Sequence, residues 1–158
     1  MTTNKRLLCI WYDSFGVLYY ELLRPGETVN STRYAGQVQK VYNACNQRPA
    51  NQRHPVVFLH DNATSHTSHV VRNLIEEFGW EILKHPPNSP DLNPVDFSFN
   101  RGLHTFLKST HSNNAAELQQ NIENYINSKD ESFYQKGIHS LPERWQWVAA
   151  NNGEYYPD

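Results

Sequence analysis

Three aspartates occupy positions from which their carboxylates could hold metal ions. Asp13 and Asp61 each follow an apolar run, and Asp96 lies in the stretch SPDLNPVDFSF. Carboxylate oxygens are ligands that Mg²⁺ prefers. Two such ions ~3.5–4 Å apart can clamp the attacking and leaving oxygens of a phosphodiester, so no Ser, Cys or His nucleophile is needed. The trio therefore predicts phosphoryl transfer that depends on two Mg²⁺ or Mn²⁺ ions.

Two of these acids also have a structural explanation. Asp13 could be a turn residue at the end of a strand, and Asp96 could be favoured in a helix first turn by the helix dipole. The dipole explanation is compatible with metal binding. Asp91, five residues before Asp96, lies between two prolines and suits a turn or a cap better than a metal site.

Five short strands are predicted to position these acids. Leu7–Tyr12 is a continuous apolar run typical of a buried strand, and a short turn joins it to Val17–Leu23 as an antiparallel hairpin. Further strands are predicted at 27–30, 56–60 and 80–83. The strand that ends at Asp61 would place that acid at the edge of the sheet, where open α/β sheets carry their chemistry.

Helices are predicted between and after these strands. Ser31 or Thr32 could cap the first helix, which would end near Asn46, and Gly79 would end a second helix. Pro94 would begin a third helix with Asp96 two residues inside it. Amphipathic patterns predict later helices around 118–126, 130–139 and 141–150. This order predicts a ribonuclease H-like α/β domain, a mixed five-stranded sheet flanked by helices, over residues 1–158.

The composition is that of a folded domain without a strong general affinity for DNA. Hydrophobic residues make up 38% of the 158 residues, and the formal net charge is −2. A stand-alone nucleic-acid binder is normally basic, although a local basic patch is compatible with this charge. No apolar run approaches the ~20 residues that span a membrane, so we expect no membrane partner.

Five ordered stretches resemble one protein family, the mariner transposases of the Tc1/mariner superfamily. They are LCIWYD, YYELLRPGETVN, VVFLHDNATSHT, GWEILKHPPNSPDLNPVDF and FYQKGIHSLPERW. The family's signature is two aspartates and a third after 34 residues, and 34 residues lie between Asp61 and Asp96. The resemblance extends from Leu8 to the C-terminus and supports Asp13, Asp61 and Asp96 as catalytic metal ligands.

The resemblance implies a metal-dependent DNA transposase. Such a domain cuts DNA at the terminal inverted repeats of a transposon and joins the free 3′ end to a TA target. It is similar in fold to ribonuclease H and retroviral integrases. In the family, the stretch that corresponds to Arg24–Tyr34 lies in a clamp loop that reaches the other subunit of a homodimer. The expected location is the nucleus.

The chain departs from the family pattern in three places. Tyr12 replaces a Trp before the first Asp, and Phe97 and Ser98 stand where the family usually has Tyr and His. Only twelve residues precede Asp13, so we expect the family's N-terminal helix-turn-helix region to be absent. An alternative function is a catalytically silent, domesticated remnant that serves as a DNA-associated or dimerisation module.

Two further polar residues follow Asp61 in the predicted loop. Asn62 could orient the site through hydrogen bonds or could be an ordinary turn residue, and His66 could contact DNA phosphate. His66 and His69 are three positions apart, but no cysteine or second histidine pair completes a zinc site.

Overall fold

The computed structural model describes residues 6–61, 63 and 68–157. Its strands are β1 (Leu8–Asp13), β2 (Gly16–Leu22), β3 (Val57–Phe58) and β4 (Glu81–Ile82). Its α-helices are α1 (Ser31–Gln47), α2 (His69–Glu77), α3 (Arg101–Thr110), α4 (Ala115–Ser128), α5 (Glu131–His139) and α6 (Leu141–Ala150). A π-helix, Val95–Asn100, leads into α3, and short 3₁₀ turns occupy Ala50–Gln52 and Pro90–Leu92.

The described strands form two ladders of two strands each. β1 pairs with β2 across a two-residue turn, and β3 pairs with β4 in parallel with Val57 opposite Glu81. The predicted α/β class is confirmed, but residues 27–30 form no strand. Asn30 instead caps α1 by accepting a hydrogen bond from the Arg33 amide at 2.8 Å, so the predicted Ser31 or Thr32 cap is wrong.

The chain divides into two compact units, described separately below. The first contains the described residues up to Trp11 and those of Leu18–Pro87, and the second contains Tyr12–Val17 and the residues from Asn88 onward. The expectation of a single domain stays a prediction. Among the described residues, no helix is both long and apolar enough to cross a membrane.

The core of the first unit lies between α1, α2 and β3. Tyr34 and Val38 from α1 and Val71 and Ile75 from α2 pack with Phe58, and all five are buried. The spacing of three or four residues places these side chains on one face of each helix. Gly79, at φ +73°, ends α2 as predicted, because glycine adopts this left-handed backbone without a steric cost.

The second unit has an aromatic core built largely from tyrosine. Phe99 is fully buried, and its ring centroid lies 5.3 Å from that of Tyr125 and 5.9 Å from that of Tyr12. Tyr12 also lies 5.1 Å from Tyr134. The Tyr125 hydroxyl donates to the Phe99 carbonyl at 3.2 Å, so the aromatic core also ties the end of the π-helix to α4.

Candidate active site

Asp13 and Asp61 occupy the same kind of local structure. Asp13 ends β1, and its Oδ1 accepts a hydrogen bond from the Phe15 amide at 2.9 Å. Asp61 follows β3 after two residues, and its Oδ1 accepts from the Ala63 amide at 3.0 Å. Both are Asx turns, in which the carboxylate holds the chain as it leaves a strand. Each turn also fixes the orientation of the carboxylate that forms it.

The residue before Asp61 is anchored to the core of the first unit. The His60 Nδ1 lies 2.9 Å from the Tyr34 hydroxyl, and the two rings stack with centroids 5.9 Å apart. Burial raises the pKa of Tyr34 well above its usual value, and the negative charge of Asp61 raises it further. The neutral hydroxyl therefore persists at ordinary pH and stays bonded to the residue beside the acid.

Asp96 is presented by the first turn of the π-helix. Its amide and that of Phe97 both donate to the Asn93 carbonyl, at 2.9 and 3.0 Å. The Asn93 side chain accepts from the Val95 amide at 3.1 Å, and the Asp96 side chain is exposed. The predicted helix start is confirmed, while its π form was not predicted. Single π turns are rare and often occur at functional sites.

Tyr12, the residue before Asp13, packs in the core of the second unit. Burial raises the pKa of the Tyr12 hydroxyl well above its usual value, and Tyr134, Tyr125 and Asp96 raise it further. The Tyr12 ring centroid lies 5.9 Å from that of Phe99 and 5.1 Å from that of Tyr134. The Tyr at this position, in place of the family's Trp, therefore packs in the aromatic core.

Asp61 belongs to the first unit, and its convergence with the other two acids stays a prediction. Within residues 6–61, 63 and 68–157, no group of three His, Cys, Asp or Glu side chains is close enough to hold a metal ion. The donor chemistry nevertheless fits Mg²⁺ or Mn²⁺, because all three candidates are carboxylates. Asn62 and His66 lie outside the described residues, so their predicted roles stay predictions.

Asp91 has a structural role, as its position between prolines indicated. Its Oδ2 accepts a hydrogen bond from the Tyr156 amide at 2.7 Å, and its carbonyl accepts one from Arg144 Nη1 at 3.0 Å. These bonds tie the C-terminal segment and α6 to the turn that precedes the π-helix. Sequence reasoning missed Arg144, because 53 positions separate it from Asp91 and no local pattern connects them.

The departures at Phe97 and Ser98 are accommodated by packing. The Arg144 guanidinium carbon lies 3.6 Å from the centroid of the Phe97 ring. This contact uses the face of the ring and does not need the hydroxyl of the Tyr that the family usually has at this position. Ser98 packs against α5, where a Cβ added at Gly137 would lie 3.4 Å from the Ser98 Cβ. The close approach of Gly137 suits a small side chain at position 98.

Comparisons with known proteins show what this chain is similar to. Residues 1–54 match the family model of a transposase, partial DDE domain. The chain is 42% identical to the Mariner Mos1 transposase of Drosophila mauritiana over 155 residues, which are 96% of this chain and 45% of that protein. It is 32% identical to the human histone-lysine N-methyltransferase SETMAR, over 97% of this chain and 23% of that protein.

Solved structures show the same relationship. A crystal structure of the catalytic domain of Mos1 mariner transposase superposes with a TM-score of 0.92 at 41% identity, covering 99% of this chain and 78% of that one. The Mos1 mariner paired end complex with Mn gives 0.89 at 42% identity, and the complex with Mg gives 0.88 at 42%. Each covers 96% of this chain and 45% of the other.

The family model and the fold define a transposase catalytic domain of the DDE type. The chain belongs to the mariner transposase family. It spans about half the length of the Mos1 transposase that it matches, 45% of that protein.

Proposed function

We propose that this chain is the catalytic domain of a mariner-type DNA transposase that cleaves DNA strands and transfers them in cut-and-paste transposition. The observation that carries the proposal is the likeness to the Mos1 catalytic domain over 99% of the chain, at 41% identity. Asp13, Asp61 and Asp96 supply the acids that such chemistry needs. This likeness also supports a ribonuclease H-like architecture, for which a five-stranded mixed sheet is part of the proposal.

In the proposed mechanism, the three carboxylates hold two Mg²⁺ or Mn²⁺ ions. Asp13 and Asp61 would share one ion, and Asp96 with Asp13 or Asp61 would hold the second. When bound, the ions activate the attacking oxygen and stabilise the leaving oxygen of a phosphodiester. The Asx turns at Asp13 and Asp61 orient their carboxylates, and the π-helix keeps Asp96 exposed.

The reaction consists of two displacements at phosphorus. In the first, water attacks a phosphodiester, the bond from phosphorus to the 3′ oxygen breaks, and a free 3′ hydroxyl remains. In the second, that hydroxyl attacks a phosphodiester of the target, forms a new ester bond and releases a 3′ hydroxyl of the target strand. Neither step forms a covalent bond to the protein.

The partner in this proposal is DNA, as transposon terminal inverted repeats and a TA target in a complete family protein. A second copy of the chain is the other proposed partner, because the Mos1 structures include paired end complexes. The proposed location is the nucleus, since the substrate is chromosomal DNA.

Replacement of each acid by its amide tests the proposal. We expect Asp13→Asn, Asp61→Asn and Asp96→Asn each to abolish Mn²⁺-dependent nicking of supercoiled plasmid and to weaken Mn²⁺ binding in calorimetry. Asparagine is nearly isosteric but lacks the charge that holds a cation. Circular dichroism would verify that each variant stays folded.

Asp130→Asn is the matched control. The Asp130 side chain caps α5 by accepting from the Phe133 amide at 3.2 Å, and Asn caps helices about as well as Asp. This variant should nick DNA as the unsubstituted chain does. Unchanged nicking by Asp96→Asn would remove that residue from the site, and the same result for all three variants would overturn the proposal.

A second candidate is a non-catalytic, DNA-associated or dimerisation module. The similarity to SETMAR favours this candidate. The matching segment is 23% of a protein named as a histone-lysine N-methyltransferase, so a domain of this kind can be part of a longer chain with another activity. Mn²⁺ titration distinguishes the two candidates. A chain that binds no Mn²⁺ at millimolar concentration while forming a stable dimer would support the module.

A further inference from the structure

Arg144 lies where two aromatic rings and a backbone carbonyl meet in the second unit. Its guanidinium carbon is 3.6 Å from the centroid of Phe97 and 4.5 Å from that of Tyr156. Its Nη1 donates to the Asp91 carbonyl at 3.0 Å. A single side chain from α6 therefore contacts the turn before the π-helix, the π-helix itself and the C-terminal segment.

The C-terminal segment completes this cluster. The Tyr156 amide donates to Asp91 Oδ2 at 2.7 Å, and the Tyr156 ring packs edge-on against Trp147 with centroids 5.7 Å apart. Within the described part of the chain, Arg144 Nε and Asp91 Oδ1 are buried and have no hydrogen-bond partner. Burial of an unpaired polar atom is destabilising.

The contacts of Arg144 flank Asp96 along the chain. Asp91 precedes Asp96 by five residues, and Phe97 follows it directly. π-helices are rare, and this one is packed against side chains from α4 and α6. On the buried side of the π-helix, the Phe99 carbonyl accepts a hydrogen bond from Tyr125. On the side of the exposed Asp96, the Phe97 ring stacks with Arg144.

We propose that Arg144 is a positioning residue for Asp96: by stacking on Phe97 and bonding the Asp91 carbonyl, it sets the register of the π-helix that offers the Asp96 carboxylate to the metal. This inference rests on the proposed function. Arginine suits the role because its planar guanidinium stacks on rings and donates hydrogen bonds in fixed directions, which lysine cannot do. Residues that orient a metal ligand typically affect metal affinity by ~10–100-fold when replaced.

The test measures Mn²⁺ affinity, thermal unfolding and amide hydrogen exchange of Arg144→Lys and Arg144→Met. We expect both variants to bind Mn²⁺ about tenfold or more weakly than the unsubstituted chain while still folded. The amides of Val95–Asn100 should exchange faster, whereas those of α1 should not change. Arg144→Lys keeps the charge, so it remains informative if Arg144→Met fails to fold.

Matched variants separate positioning from general stability. Lys129 lies 5.0 Å from the ring centroids of both Tyr125 and Phe133, so Lys129→Met also removes a cation from aromatic rings. It should leave Mn²⁺ affinity unchanged. Phe97→Tyr retains a ring for Arg144 and should keep the affinity, whereas Phe97→Leu should lower it as Arg144→Lys does.

The outcomes distinguish this inference from the proposed function. If the unsubstituted chain binds no Mn²⁺, the proposed function fails, and the exchange of Val95–Asn100 alone decides whether Arg144 holds the π-helix. If the unsubstituted chain binds Mn²⁺ but Arg144→Lys and Arg144→Met change neither affinity nor exchange, the inference is overturned while the function stands. A lower unfolding temperature with unchanged affinity would also overturn it.

Discussion

Asp61 and Asp96 are both exposed acids, but the two units support them by different means. Asp61 follows a short parallel strand, and a hydrogen bond joins its neighbour His60 to the buried Tyr34. Asp96 lies on a π-helix that is held by aromatic packing and by Arg144. A backbone ladder and one side-chain hydrogen bond therefore support the first acid, whereas aromatic packing and Arg144 support the second. Side-chain substitutions should accordingly disturb Asp96 more than Asp61.

The largest effect is expected from Phe99→Ala in the second unit. The Phe99 ring is fully buried and contacts both Tyr12 and Tyr125, so its loss should lower the free energy of unfolding by ~3–5 kcal/mol. Urea unfolding would measure this change. Ile75→Ala, equally buried in the first unit, should cost ~2–5 kcal/mol but leave the near-ultraviolet signal of the tyrosine core intact. A loss below ~1 kcal/mol for Phe99→Ala would contradict the supporting role of this ring.

Glycine-to-alanine substitutions should have opposite signs in the two units. A Cβ at Gly102 in α3 would overlap the Tyr125 hydroxyl, so Gly102→Ala should lower stability by ~1–3 kcal/mol. A Cβ at Gly36 in α1 would meet nothing within 4 Å, so Gly36→Ala should raise stability by ~0.4–1 kcal/mol. Thermal unfolding of both variants checks the pair. A rise in stability for Gly102→Ala would show that the second unit yields around Tyr125.

Removal of one hydroxyl tests the support of Asp61. Tyr34→Phe keeps the buried ring but loses the hydrogen bond to His60, so it should cost ~0.5–1.5 kcal/mol by urea unfolding. Tyr42→Phe is the control, because the Tyr42 ring stacks on Phe78 with centroids 4.0 Å apart and the substitution keeps that contact. Its effect should stay within ~0.5 kcal/mol. Equal effects of the two substitutions would indicate that the bond to His60 adds no stability.

The smallest expected effect concerns pH and the Glu21 carboxylate of the first unit. Partial burial alone would raise the pKa of Glu21, but hydrogen bonds from Gln37 and Arg33 outweigh it and lower this pKa below its usual 4.5. Because the pKa of Glu21 is lower in the folded state, its carboxylate stabilises the fold above pH 4.5. This stabilisation is lost as the pH falls through the folded-state pKa. Glu21→Gln should therefore reduce the free energy of unfolding that is lost on acidification, by less than ~1 kcal/mol. Unfolding midpoints between about pH 5 and 3 would measure it, and an unchanged slope would contradict it.

Local patterns in the sequence predicted most of the secondary structure. The apolar spacing of α1 and α2, the end of α2 at Gly79 and the helix start before Asp96 are confirmed. The strand predicted at 27–30 is wrong, because Asn30 caps α1. Caps and strands compete for the same few polar residues, and short-range patterns do not decide between them.

The sequence by itself determined the family, the three candidate acids and the helices that carry their surroundings, because motif spacing and apolar periodicity are properties of neighbouring residues. Only the tertiary structure decided that the Asp96 segment is a π-helix and that Arg144 stacks on Phe97. It also decided that Tyr34 bonds His60 across 26 positions. These features depend on which distant side chains meet once the apolar surfaces are buried, and the order of residues along the chain does not specify such meetings locally.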